Sequence, residues 1–216
     1  MEIIPAILES DWPSVAEKIK LVDGLTDWIQ LDVSDGLFTP VQTWANPQDL
    51  FSIETNLKLE AHLMINEPWT QADAWLSGPT RRITVQVETL ASPQSLKFGE
   101  LVFMAKKYGK EVVWGFKLET DWEPYKELMQ SPQARVLFLS VEPGRQGQKF
   151  DRRAIDKIKS VKSAHPHVKI EVDGGIDSSI AGELESAGAD ALVVGSAIFN
   201  AGDPKAVLDD LKKSAE

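Results

Sequence analysis

A chain of 216 residues, 43% hydrophobic and 26% charged, suits one globular core and differs from disordered or collagen-like compositions. Its formal charge of −10 at pH 7 repels a phosphate backbone, and no basic stripe interleaved with aromatics offsets it, so nucleic acid is excluded as a partner. The absence of cysteine removes disulfides and thiolate metal sites, and no apolar run approaches the ~18 residues that a bilayer demands.

The opening Met1-Glu2-Ile3-Ile4-Pro5 lacks a basic region leading into an apolar signal core, so a cytoplasmic protein without membrane contact is expected. From there, short runs rich in Val, Ile and Leu alternate with amphipathic segments. Eight strands are predicted: Glu2 to Leu8, Trp28 to Val33, Leu57 to Met64, Arg82 to Val87, Glu111 to Lys117, Val136 to Val141, Val168 to Val172 and Ala191 to Val194. After the first, Val15, Ile19 and Val22 fall at the i, i+4, i+7 spacing of one buried helical stripe. Asn66-Glu67-Pro68 is expected to open the third helix, and Ala154, Ile158 and Val161 form the stripe of the sixth. Asp177 and Gly188 bracket the seventh, over Ile180, Leu184 and Ala187, and Asp203-Pro204 opens the last. Repeated βα units dictate a parallel sheet with right-handed crossovers. Eight of them in 216 residues predict an α/β fold, a single (β/α)8 TIM barrel over residues 1–216, in preference to an open doubly wound sheet.

Such barrels place their chemistry at the C-terminal ends of the strands, so polar residues ending an apolar run carry most weight. That criterion selects Asp32, Asp35 and Gly36, His62, Gln86 and Glu88, Lys117, and Asp173, and rejects His165 and His167 at the opposite rim. Alternation puts Gln30, Asp32 and Ser34 on one strand face, whereas Asp35-Gly36 reads as turn chemistry. Asp32, His62 and Asp173 come from three strands and offer the oxygen and nitrogen donors of an open divalent metal site, for Zn2+, Mn2+ or Fe2+. Glycine-bearing turns follow strands six, seven and eight: Gly144 to Gln148 with Gly147, then Gly174-Gly175, then Gly195-Ser196. Together they predict a phosphate cup of backbone N–H groups, completed by a short helix begun at Ser196. Of the seven tryptophans, Trp12, Trp28, Trp69, Trp75 and Trp122 are expected in or beside helices, and Trp44 near enough to cover the site or an oligomer partner.

Several segments resemble the ribulose-phosphate 3-epimerase family: Leu31-Asp32-Val33-Ser34-Asp35-Gly36, Ala61-His62-Leu63-Met64, Val141-Glu142-Pro143-Gly144 with Gly147-Gln148-Lys149-Phe150, Glu171-Val172-Asp173-Gly174-Gly175, and Val194-Gly195-Ser196. The resemblance implies a ribulose-phosphate-binding barrel, cytoplasmic and commonly homo-oligomeric, that acts on a small phosphorylated sugar in carbohydrate metabolism. It implies interconversion of D-ribulose 5-phosphate and D-xylulose 5-phosphate through an enediolate. Asp32 and Asp173 would transfer the protons and, with His62, hold a divalent metal ion. Met64, Gly144, Gly147, Gln148, Gly174, Gly175, Gly195 and Ser196, with His62, would contact substrate. The chain departs from the family pattern where Gln30 and Gln86 stand for histidines, Ala6 for serine, Ser34 and Leu139 for methionines, Glu142 for asparagine and Arg145-Gln146 for an aromatic-glycine pair. These departures raise two alternatives: an epimerase of another ketose phosphate, or a catalytically silent sugar-phosphate-binding barrel.

Overall fold

In the computed structural model, which describes residues 1–215, the eight apolar runs pair in parallel and close on themselves in chain order. The strands are β1 (Glu2–Ile7), β2 (Trp28–Ser34), β3 (Lys58–Met64), β4 (Thr80–Gln86), β5 (Glu111–Phe116), β6 (Arg135–Leu139), β7 (Lys169–Asp173) and β8 (Ala191–Val194). Helices α1 (Trp12–Val22), α2 (Ala72–Ser77), α3 (Lys97–Lys107), α4 (Arg153–Ala164), α5 (Ser178–Ala187), α6 (Ser196–Phe199) and α7 (Pro204–Ser214) surround them. Expected strand limits shift by one or two residues. β6 stops at Leu139, whereas β7 extends to take in Asp173 as its last residue.

Three caps form as the sequence dictates. Asp177 accepts from the Ser179 N–H at 2.9 Å, Asp203 from Ala206 at 3.1 Å, and Gly188 ends α5 at φ 107°. The opening at Asn66-Glu67-Pro68 is different: Glu67 is left-handed at φ 53°, its side chain caps nothing, and a short 3-10 turn precedes α2. The Asn66 N–H is instead taken by Asp35 Oδ2 at 2.6 Å. Two crossovers are not α-helical. The one after β2 carries a 3-10 turn at Pro47–Ser52 and the one after β5 another at Glu123–Met129. Each buries only one or two side chains, too narrow a stripe to anchor a longer helix on the sheet.

The strands present two faces to two separate cores. Outward residues such as Ile29, Leu31, Val33, Val85, Phe116 and Phe138 join the helix stripes in one large apolar shell. A fully buried Leu or Ile there stabilises by about 1.5–3 kcal/mol. Trp44 belongs to this shell, not to the site: it is buried, with its ring 5.1 Å from Trp12 and 5.7 Å from Trp75 and its indole N–H bonded to Asp49. The large apolar surface of its ring drives it between barrel and helices, which removes it as a cover for the site.

Inside the barrel the apolar set is small: Ile4, Ala6, Val113, Leu137, Leu139, Ala191 and Val193. Most of the remaining inward positions are polar, with Trp28 and Met64 among the exceptions. Near the N-terminal ends of the strands the Arg82 guanidinium lies 3.8 Å from the Trp28 ring centroid, bonds Glu60 at 2.6 Å and meets Glu171 at 2.7 Å. Trp28 therefore packs under a buried ion pair inside the barrel and not beside a helix. Arg135 reaches Glu171 from the side at 2.8 Å. Burial and the neighbouring Glu60 charge push the Glu171 carboxyl up to about 8, against the pull of Arg82 and Arg135.

Candidate active site

The register of β2 against β3 places Gln30 beside Glu60 and Asp32 beside His62. Leu139 stands beside Asp173, and Gln86 beside Gly115. Because side chains alternate, Gln30, Asp32, His62, Gln86 and Asp173 all point into the barrel, one layer nearer the C-terminal rim than the Arg82 network. Gly115 leaves room for this layer, since a Cβ there would lie 2.5 Å from Gln86 Nε2.

One donor atom from each of Asp32, His62 and Asp173 falls within 4.8 Å of the others. His62 Nδ1 is 3.5 Å from Asp32 Oδ1 and 3.6 Å from Asp173 Oδ2. The set of two carboxylates and one imidazole has the chemistry of a divalent cation site. Burial alone would lower the His62 pKa, but the two carboxylates, Asp173 first, reverse that and hold the imidazole at about 10. Asp173 is raised by burial and by the Asp32 charge, while His62 and the Gln30 amide pull it down. An imidazolium donates from both nitrogens. Gln86 Nε2 lies 2.7 Å from His62 Nε2 while Gln86 Oε1 is buried without a partner, so turning that amide pairs both groups.

Above this layer opens a cleft. Asp32 and Asp173 form part of its floor, and Met64, Gly144, Gly147, Gln148, Gly174, Gly175, Gly195 and Ser196 line it. His62 is the exception among the expected contact residues: fully buried, it lies beneath the carboxylates and does not line the cleft. The three glycine turns converge on one side. At Gly175 the backbone has φ 63°, and a Cβ would collide with the backbone of Phe150 and come 2.8 Å from the Gln148 carbonyl oxygen. Gly144, at φ 85°, abuts Thr39 just as closely. Gln148 Nε2 donates to the carbonyls of Glu142 and Arg145 at 2.6 and 2.9 Å, so its amide nitrogen folds the β6 loop.

Other rim residues have local duties. Asp35 accepts the Leu37, Phe38 and Asn66 N–H groups, which outweigh partial burial and lower its pKa. Glu88 accepts the Lys117 N–H at 2.7 Å, and the Lys117 ammonium sits 4.4 Å from the Phe38 ring centroid. Neither lines the cleft. His167 bonds the Met129 carbonyl at the far rim. Arg145 and Gln30, marked in the sequence only as departures from the family pattern and, for Gln30, by inward parity with Asp32, prove to line the cleft and to bridge the two aspartates respectively.

No helix among the described residues is long and apolar enough to cross a membrane. Among solved structures, the barrel is similar to 3-hexulose-6-phosphate synthase from Salmonella typhimurium, at TM-score 0.73 and 18% identity over 100% of this chain and 98% of that one. It is also similar to KGPDC from Streptococcus mutans, solved in complex with D-R5P, at TM-score 0.75 and 13% identity over 99% and 96%. These likenesses establish the TIM-barrel fold. In sequence, the chain is 32% identical over 220 residues to the cytoplasmic isoform of ribulose-phosphate 3-epimerase from Oryza sativa subsp. japonica, covering 100% of this chain and 94% of that protein. It is 32% identical over 217 residues to the ribulose-phosphate 3-epimerase of Aquifex aeolicus, covering 97% and 95%. The pattern of the ribulose-phosphate 3 epimerase family matches residues 2–199, and the chain belongs to that family of enzymes.

Proposed function

We propose that the chain epimerises D-ribulose 5-phosphate and D-xylulose 5-phosphate by proton transfer between two aspartates. The observation that carries this is the placement of Asp32, on β2, and Asp173, on β7, in the floor of one cleft walled by three glycine turns. With the sugar between them, one carboxylate takes the C3 proton and the C3–H electron pair moves into an enediolate. The other carboxylate returns a proton to C3 from the opposite face, inverting that centre. Burial of Asp173 raises its pKa, which makes it a stronger base when ionised and a usable acid when protonated. Without a bound ion His62, buried and positive beneath both, balances their negative charge; as a ligand it would give up its ring proton and leave that task to the cation.

The phosphate would rest on backbone N–H groups of Gly174, Gly175, Gly195 and Ser196, where the absence of side chains at the glycines permits close approach. Asp32, His62 and Asp173 would hold a divalent cation, Zn2+, Mn2+ or Fe2+, which when bound supplies Lewis-acid stabilisation of charge on the sugar oxygens. A cytoplasmic setting and a homo-oligomer belong to the same reading, supported by the cysteine-free composition and by the family.

Incubation with D-ribulose 5-phosphate in D2O tests the reading. Deuterium at C3 and appearance of D-xylulose 5-phosphate are expected, and both should vanish in Asp32→Asn and Asp173→Asn. Ala6 and Leu139 line the cleft and alter its shape toward the sugar carbons. Exchange confined to another ketose phosphate would therefore mark an epimerase of different specificity, and binding without exchange a silent barrel.

A further inference from the structure

Gln30 Nε2 lies 2.8 Å from Asp32 Oδ1, 3.0 Å from Asp173 Oδ2 and 3.3 Å from His62 Nδ1. A single nitrogen therefore faces the same three residues that compose the candidate cation site. A primary amide carries two N–H bonds, and two carboxylate oxygens stand within reach, so the charges demand that nitrogen point inward. The opposite orientation would gain one longer bond from the His62 Nδ1–H at 3.3 Å but set a carbonyl lone pair against two carboxylate oxygens at 2.8 and 3.0 Å, so the two charge-assisted bonds prevail. The side chain is fully buried, and its Oε1 is left without a partner, so no solvent-exposed resting place competes with this arrangement.

We propose that the Gln30 amide is a built-in rival of the divalent cation: it clamps Asp32 to Asp173 in the metal-free protein and must be moved before an ion can share those oxygens. Two hydrogen bonds to charged acceptors are lost when it moves, and an N–H2 group has no lone pair to offer an ion in return. Weak cation binding follows, with the two carboxylates held together in its absence. The inference rests on the proposed function only in taking Asp32, His62 and Asp173 as the ligands.

Titration of the whole protein with Mn2+, followed by the electron paramagnetic resonance of the free ion, reads affinity without reference to turnover. Gln30→Ala removes the donors and admits water, so it should bind Mn2+ about tenfold tighter than the parent, the equivalent of one hydrogen bond to a charged group. Unchanged or weaker binding would overturn the proposal, because the amide would then be a bystander or a ligand through Oε1. If circular dichroism shows Gln30→Ala unfolded, Gln30→Ser carries the same two outcomes. Adding Asp173→Asn to the tighter variant separates this inference from the reading beneath it. Loss of Mn2+ in the double variant places the ion among these residues, whereas retained binding puts it elsewhere and removes rival and ligand set together.

Discussion

Replacing Arg82 by Met would leave Glu60 and Glu171 buried inside the barrel without the cation that lies 2.6 and 2.7 Å from them. Glu171 keeps Arg135 at 2.8 Å, but Glu60 retains only the Thr84 hydroxyl. Breaking a buried pair from one side costs roughly 3–5 kcal/mol, and the stacked contact with Trp28 adds to it, so a loss of about 4 kcal/mol is expected near pH 7. For a chain of this size that is ~8–16 °C in Tm. The loss should depend on pH with a definite sign. Without Arg82 the Glu171 carboxyl, already held at about 8, rises further, while its unfolded value stays near the ordinary 4.5. Below about pH 8 the folded parent and the folded variant both keep that proton, so the deficit is nearly level there; it widens as pH climbs past about 8, where the parent releases the proton and the variant still holds it. Urea titrations at about pH 7 and about pH 9, followed by fluorescence of the seven tryptophans, measure both quantities. A deficit under about 1 kcal/mol at about pH 7, or one that does not widen between about pH 7 and about pH 9, would refute this account of the barrel floor.

Three further outcomes follow from the site. Asp32→Asn and Asp173→Asn should each lower kcat for C3 exchange by ~10²–10⁴ with unchanged circular dichroism, and near-parent exchange in either would remove that residue from proton transfer. Gly175→Ala places a Cβ against the Phe150 backbone at φ 63° and should cost about 1–3 kcal/mol while displacing the phosphate turn. Parent-like Tm and phosphate affinity by calorimetry would show the turn to be roomier than argued. Arg145 lines the cleft, so Arg145→Ala should raise KM for a sugar phosphate about tenfold at constant kcat. An unchanged KM at low salt would leave the phosphate to the backbone alone.

The barrel was legible because a period of two and a period of 3.6 alternate cleanly along the chain, and strand ends could be ranked by the polar residues that close them. Asp32, His62 and Asp173 stood out for that reason. What escaped was anything decided by cross-strand distance. Parity aligned Gln30 with Asp32, yet only the closed barrel brings its amide nitrogen to Asp173, 143 positions away in the chain. Trp44 followed a strand and so looked like a cover, but its indole was drawn to Trp12 and Trp75 behind the sheet. Asp35 looked like a simple turn residue because its bond to Asn66 joins two loops that are distant in sequence.

The Arg82 layer and the aspartate layer share their strands: Glu60 precedes His62 by two residues, Glu171 precedes Asp173 by two, and Trp28, Gln30 and Asp32 follow one another at intervals of two. A slip of one residue in any strand would turn its inward set outward and expose the Val, Ile and Leu of the outer core. A slip of two is different, because it preserves parity and leaves apolar packing nearly indifferent. Directional pairing is what resists it. If β7 moved by two positions relative to β4, one direction would bring Lys169 to Arg82, cation against buried cation, and the other would bring Asp173, whose carboxylate is one methylene shorter and would be taken away from Gln30 and His62. An apolar floor of equal volume could match the network in stability, but it would not select the stagger that brings Asp173 to within reach of Gln30 and His62. The charged floor therefore sets the register on which the distance between the two candidate proton-transfer groups depends.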